Sequence, residues 1–347
     1  MNDNPLGLDG FAFVEFTGPA PDDMARQLDM LGFTAVARHP ARDILRFRQG
    51  RIDFLLNREP VGQAAEFRAL HGPSANGMAF RVKDAARAYE LALENGARAA
   101  DAATSAFAGV PVLQGIGGSL LYLVDAKDPY ADWIAIPGAA EAEPGNSVGF
   151  ELLDHLTHNV QRGQMRTWSS FYRHIFGFEE QKYFDIKGQA TGLFSQAMIA
   201  PDGAIRIPLN ESQDDASQIE EFLRQYNGEG IQHIALTTPD IYATVEKLRA
   251  RGVKLQDTID TYYDLVDKRV PGHGEALDRL RRNRILIDGN TGDEGILLQI
   301  FTENTFGPIF FEIIQRKGNQ GFGNGNFQAL FESIELDQIR RGVIHVA

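Results

Sequence analysis

Apolar and polar positions follow the same succession of periods in two long stretches of the chain. Residues 77–97, GMAFRVKDAARAYELALENGA, open as a short alternating strand and pass an Asp suited to N-capping. They continue as an amphipathic helix that stops at Gly96. Residues 233–253, HIALTTPDIYATVEKLRARGV, do the same and stop at Gly252. The two align without gaps at an offset of 156 (233 less 77), with Ala79 on Ala235, Asp84 on Asp240 and Gly96 on Gly252. A second echo sets Leu120–Val124 (LLYLV) against Leu297–Phe301 (LLQIF), strand-like runs that both follow Gly-rich turns. Two windows in one order predict a strand–helix–strands unit written twice, and hence an α+β chain. The expected domains are residues 1–145 and 150–347, with GAAEAEPGNSVG (138–149) as an exposed linker.

Composition narrows the class. Hydrophobic residues make up 43% of the 347, enough for packed cores. No stretch approaches the roughly 20 uninterrupted apolar residues of a membrane helix. The opening MNDNPLGLDGF has neither the basic segment nor the apolar run of a secretory signal, so a cytoplasmic location is expected. The chain has no cysteine, which excludes disulfides, zinc–thiolate sites, iron–sulfur clusters and thiol nucleophiles. The formal charge of −13 opposes binding to phosphate backbones, so nucleic acid is not an expected partner.

The chemistry concentrates in the second copy. Three strand-like segments each carry a polar residue in an apolar run: Leu153–Asn159 (LDHLTHN) with His155 and His158, Gly230–Leu236 (GIQHIAL) with His233, and Phe310–Gln315 (FFEIIQ) with Glu312. A lone strand histidine is more often a hydrogen-bonded core residue than a ligand, and Glu312 could pair with Arg316. A buried carboxylate nevertheless needs a cation or a proton, and here it accompanies two imidazoles within one unit. Two imidazoles and one carboxylate bind one face of a non-haem Fe(II) and leave open positions. His155 and His158 lie on opposite faces of a strand, so only one can join, and spacing does not choose between them. The first copy has Gly77 where the second has His233, and offers no comparable set.

At this point the chain resembles the bacterial branch of the 4-hydroxyphenylpyruvate dioxygenase family, of the vicinal-oxygen-chelate fold. The matching segments are DHLTHN (154–159), RIPLNE (206–211), SQIEEF (217–222), GIQHIAL (230–236), LLQIFT (297–302), FFEIIQR (310–316) and GFGNGNFQALF (321–331). The resemblance runs from the GLDGF opening to about Arg341. It implies two tandem domains of repeated βαβββ units, with one Fe(II) per chain inside a C-terminal open barrel. It selects His155 over His158 as ligand, beside His233 and Glu312. The implied reaction takes 4-hydroxyphenylpyruvate and O2 to homogentisate and CO2. No 2-oxoglutarate is needed, because the substrate carries its own 2-oxo acid. Family positions assign Gln232 and Gln299 to the catalytic set. Ser195, Pro208, Asn210, Gln218, Phe301, Phe310, Phe322, Asn326, Phe327 and Leu330 fall at substrate-binding positions.

Phe327, Leu330, Phe331 and Ile334 also have the spacing of a plain core-facing helix. The Gly321–Asn326 loop before it points to a hinge, and so to a C-terminal helix acting as a lid. Bacterial relatives imply a homo-oligomer, a tetramer before a dimer. Three rival readings share the fold: 4-hydroxymandelate synthase on the same substrate, a metal-free small-molecule-binding module, and a ring-cleaving extradiol dioxygenase. Pro208 and the bulky Phe301 fit the first-named dioxygenase better than the mandelate-forming enzyme.

Overall fold

The structure, a computed structural model, describes residues 4–187, 191–258, 260–323 and 325–326. Eight strands build a first sheet: β1 (Leu8–Thr17), β2 (Thr34–Arg38), β3 (Ile44–Gln49), β4 (Ile52–Asn57), β5 (Ser74–Val82), β6 (Val112–Gln114), β7 (Leu120–Val124) and β8 (Ile134–Ala135), in the order β6-β7-β5-β1-β4-β3-β2-β8. Eight more build a second: β9 (Leu152–Val160), β10 (Glu179–Lys187), β11 (Gly192–Ile199), β12 (Arg206–Ser212), β13 (Gly230–Thr237), β14 (Leu286–Asn290), β15 (Gly295–Phe301) and β16 (Phe310–Lys317), in the order β10-β11-β12-β9-β13-β16-β15-β14. The helices that matter for the site are α1 (Pro21–Met30), α2 (Gln63–His71), α3 (Ala85–Glu94), α4 (Ala139–Asn146), α5 (Met165–Phe176), α6 (Gln218–Tyr226) and α7 (Ile241–Ala250).

Both sheets obey one pairing rule. The first strand of each unit runs parallel to its last: β1 with β4, β5 with β7, β9 with β12 and β13 with β16. The two first strands of each sheet then pair antiparallel at its centre, β1 with β5 and β9 with β13. This is the expected duplicated βαβββ plan, and the helix starts are duplicated with it. Asp84 accepts from the Arg87 N–H and Asp240 from the Ala243 N–H, each capping its helix. Gly96 and Gly252 take φ of +98° and +83°, the left-handed turn that ends a helix at little cost only with glycine.

Two expectations need correction. The echo of Leu120–Val124 in Leu297–Phe301 is displaced by one strand. β7 is the parallel partner of β5, and the parallel partner of β13 is β16, not β15. The counterpart of Leu120 is therefore Phe310. Short apolar strands look alike in sequence, and only pairing distinguishes neighbours in a sheet. The presumed linker also folds further than expected. Residues 139–146 form α4, and Asn146 donates to Asp29 and Thr34 and accepts from Arg251, while Val148 and Phe150 are buried. Its Ala and Glu residues favour helix strongly enough to outweigh Pro144 near the end.

One apolar core runs through both halves, and Phe16 and Phe54 of the first sheet pack against Phe311 of the second. The helices meet in matched pairs as well. His71 at the end of α2 stacks on Tyr226 at the end of α6, ring centroids 4.6 Å apart, and its Nδ1 lies 2.7 Å from the Tyr226 carbonyl. No helix among the described residues is long and apolar enough to cross a membrane.

Candidate metal centre

Three neighbouring strands deliver the polar residues to one face. On β13, Ile234 and Leu236 enter the core, so His233 points the other way. On β16, Phe311 and Ile313 do the same and turn Phe310 and Glu312 outward into a cavity. Ala235 lies between His155 on β9 and Glu312 on β16 in one cross-strand row. Its small side chain leaves space between them. Donor atoms of His155, His233 and Glu312 all lie within 4.8 Å of one another, and all three residues are buried. His158 faces away, with its Nε2 2.6 Å from the Tyr172 hydroxyl of α5.

Two β-bulges aim the imidazoles. The β9–β13 register slips at Asp154 and again at Gln232, each immediately before a histidine. Asp154 Oδ1 consequently lies 3.0 Å from His155 Nδ1, and Gln232 Oε1 lies 3.0 Å from His233 Nδ1. With Nδ1 donating, each Nε2 presents a lone pair inward. Glu312 Oε2 is 3.0 Å from the Nε2 of His155 and 3.4 Å from that of His233. Three electron-pair donors thus converge in a buried site, an arrangement that a cation relieves and neutral packing does not. The set of two imidazoles and one carboxylate, with no thiolate available, fits a divalent transition metal.

Electrostatics agree. Burial alone would raise the Glu312 carboxyl, but the adjacent His155 and His233 bring it down to about 2. Burial would lower His155, yet Glu312 and Asp154 outweigh it and raise the imidazole above its ordinary value. Burial prevails at His233, which is lowered. Gln299 Nε2 donates to Glu312 Oε1 at 2.7 Å, and Gln299 Oε1 in turn accepts from Asn326 at 3.0 Å. Gly323, at φ +69°, passes so close to Gln299 that a Cβ there would run into its amide. Arg316 does not pair with Glu312 but forks onto Asp154.

The cavity in front of the triad brings together most of the expected residues. Ser195 faces Asn210 across β11 and β12, and two rows on Pro208 faces Ala197. Gln218 opens α6, whose Ser217 cap fixes its position, and Gln232 and Gln299 complete the polar lining. Phe310 stacks on His233 (5.0 Å, 21°), Phe301 meets the same ring edge-on, and Phe322 meets His155 edge-on at 5.3 Å. Asn326 does not line the cavity; it braces Gln299 from behind. Phe327, Leu330 and the C-terminal helix read as a lid lie outside the described residues. Thr157, Phe184, Ile186, Ala197 and Ile219 also line the cavity and were missed. Strand alternation could have found Thr157, two residues beyond His155. Phe184 needed knowledge of the β10–β11 register, in which it faces Ser195.

His158 carries a consequence for acid stability. Burial pushes its imidazole down from 6.5 to about 3. As pH falls below 6.5 the unfolded chain gains a proton that the folded chain refuses until about pH 3. Stability is therefore lost across that window, by at most about 1.4 kcal/mol per pH unit. Between pH 7 and pH 5, the unfolding free energy of metal-free His158→Gln, measured in urea, should depend on pH less steeply than that of wild type by about 0.7 proton on average.

The first sheet repeats this register with different residues. Phe13 faces Ala79 as His155 faces Ala235, and Ala79 pairs with Tyr122 as Ala235 pairs with Glu312. Bulges recur at Ala12 and Asn76, the counterparts of Asp154 and Gln232. Asn57, Gln63 and Asn76 stand where the second half has Asn210, Gln218 and Gln232. Here they serve a buried acid: Asn57 and Asn76 donate to Glu15 Oε1, and the Tyr122 hydroxyl donates to Oε2 at 2.6 Å. A side chain at Gly77 would press on the Tyr122 ring, while Phe107 packs against both Phe13 and Tyr122. The first copy keeps the frame and fills the site. Tyr122→Phe, which strips a donor from Glu15, should cost about 1–3 kcal/mol in chemical unfolding and leave metal uptake unchanged.

Comparison with known proteins agrees with this geometry. Residues 2–133 match the family profile described as hydroxyphenylpyruvate dioxygenase, N-terminal. Residues 152–266 match that of the glyoxalase/bleomycin resistance protein/dioxygenase superfamily. A 4-hydroxyphenylpyruvate dioxygenase of Pseudomonas aeruginosa is 59% identical, over 98% of this chain and 97% of its own length. One from Legionella pneumophila is 54% identical over 99% of each. Among solved structures, a mutant 4-hydroxymandelate synthase of Streptomyces coelicolor superposes with a TM-score of 0.84 at 28% identity, covering 96% of this chain and 99% of that one. The chain belongs to the 4-hydroxyphenylpyruvate dioxygenase family.

Proposed function

We propose that the protein is a non-haem Fe(II) dioxygenase that converts 4-hydroxyphenylpyruvate and O2 to homogentisate and CO2. The observation that carries the reading is the convergence of His155, His233 and Glu312, whose donor atoms lie within 4.8 Å of one another at the base of an aromatic cavity. Bound Fe(II) would supply the reaction with O2 and the Lewis acidity that holds a 2-oxo acid. The chain's own residues supply the rest. His155, His233 and Glu312 hold the ion, and Gln232 and Gln299 keep His233 and Glu312 in orientation. Phe301, Phe310 and Phe322 offer faces and edges to an aromatic ring and exclude water. Ser195, Asn210 and Gln218 give polar contacts to the substrate's oxygen atoms, beside Pro208. Full-length identity to dioxygenases of this name supports the choice of substrate. The same proposal takes the protein as a cytoplasmic homo-oligomer.

The rival with a specific observation behind it is 4-hydroxymandelate formation, through the structural likeness at 28% identity. Homogentisate and 4-hydroxymandelate are isomers, so mass alone does not separate them. Chromatography against authentic standards, after turnover in air with Fe(II) and ascorbate, does. Homogentisate is the expected product; 4-hydroxymandelate would overturn the assignment.

A further inference from the structure

Behind the triad lies an ionic network that the reaction as described does not use. Asp154 is only 6% exposed, yet three side chains converge on it through four nitrogen atoms. Oδ1 meets His155 Nδ1 at 3.0 Å and Arg316 Nη2 at 2.7 Å. Oδ2 accepts from Arg316 Nε at 2.9 Å and from Arg206 Nη1 at 3.4 Å. The remaining Arg316 nitrogen, Nη1, donates to the carbonyls of Asn319 (3.1 Å) and Gly321 (2.6 Å). Arg206 Nη2 reaches the Gln320 side chain at 2.8 Å. The next residue along this loop is Phe322, which meets the His155 ring and lines the cavity.

Stability does not account for such a cluster. Apolar residues of similar volume commonly serve a buried site as well as an ion pair does. Geometry and distribution do account for it. The bulge places Asp154 beside the imidazole that follows it, and the matching bulge of the first sheet holds Ala12, next to Phe13. The carboxylate occurs in the copy that has an imidazole to orient.

We propose that Asp154, clamped by Arg316, is a positioning residue that sets His155 with Nε2 toward the metal and ties the 319–321 loop to that ligand. The proposal rests on the reading of His155 as a metal ligand. An acceptor that cannot rotate away keeps the proton on Nδ1 and leaves Nε2 free to coordinate. The bidentate Arg316 fork prevents that rotation. Its third nitrogen makes the loop carrying Phe322 part of the same rigid unit, so ligand and cavity wall are held together.

Asparagine at this position has one acceptor oxygen, which Arg316 claims, so its NH2 faces His155. That favours the tautomer with Nε2 protonated, which cannot bind a metal. The full-length apoprotein should be titrated with Co(II) against a fluorescent chelator, its melting followed in parallel without metal. Asp154→Asn is expected to bind Co(II) roughly 10- to 100-fold more weakly while still melting cooperatively. Asp154→Glu keeps the charge but moves the acceptor by one methylene, and should lose affinity likewise; it serves if the Asn variant does not fold. Arg316→Lys keeps the charge on Asp154 but cannot span two carbonyls. It also breaks the fork that fixes Asp154, so it should bind Co(II) more weakly than wild type, though by less than Asp154→Asn, and raise KM for the 2-oxo acid more than it lowers kcat. Wild-type Co(II) affinity in a folded Asp154 variant overturns the proposal, and an unchanged KM in Arg316→Lys overturns its loop half. His155→Ala separates the two levels: if it too keeps Co(II), the ligand assignment itself is wrong.

Discussion

His233→Ala is expected to purify as a folded protein that retains no iron. The substitution removes one of three donors and the ring that stacks on Phe310, leaving Glu312 and His155 as an incomplete site. Metal catalysis contributes several kcal/mol to such a reaction, so turnover should fall by at least roughly a thousandfold. The fold should survive, because the core that includes Ile234 and Leu236 lies on the opposite face of β13. An unfolding free energy within about 2 kcal/mol of the metal-free wild type is expected. Anaerobic metal analysis, with circular dichroism on the same sample, checks both parts. Wild-type iron content would remove His233 from the ligand set.

Phe16→Ala should have the largest effect on stability, about 3–5 kcal/mol. Phe16 is fully buried on β1 and meets Phe54 at 5.2 Å, Phe306 at 5.1 Å and Phe311 at 6.4 Å. The last two belong to the second half, and Phe311 precedes Glu312. The cavity left by the ring would loosen the seam on which the strand carrying Glu312 rests. Urea unfolding should therefore show both sheets losing stability in one transition. A loss below about 1 kcal/mol, or separate transitions in which only the first half weakens, would show that the halves do not share a core.

The three proposed ligands were legible because each is a polar residue inside a run that otherwise belongs in a core. Burial is costly enough to make such residues conspicuous in a single sequence. The Asp84 and Asp240 caps were legible for a local reason too, since a capping side chain serves the backbone within the next turn. What could not be read was whatever depends on a partner strand. The bulges at Asp154 and Gln232 exist only relative to β13 and β9, so neither residue announced that it would bond the following imidazole. The same blindness matched β7 to β15 and left Phe184 unseen. It also hid the first copy's reuse of Asn57 and Asn76 around Glu15, since amides look alike whether they face a substrate or a buried acid. His155 and His158 remained equivalent by spacing; resemblance to a family separated them, and the Tyr172 hydroxyl shows what the second histidine does instead.

The most direct test of the central claim is the fate of labelled dioxygen. Fe(II)-loaded protein given 4-hydroxyphenylpyruvate under isotopically labelled O2 should consume one O2 for each CO2 released. Both labelled atoms should appear in homogentisate, one in the new carboxylate and one in the new ring hydroxyl. Turnover without O2 uptake, or homogentisate free of label, would contradict the account.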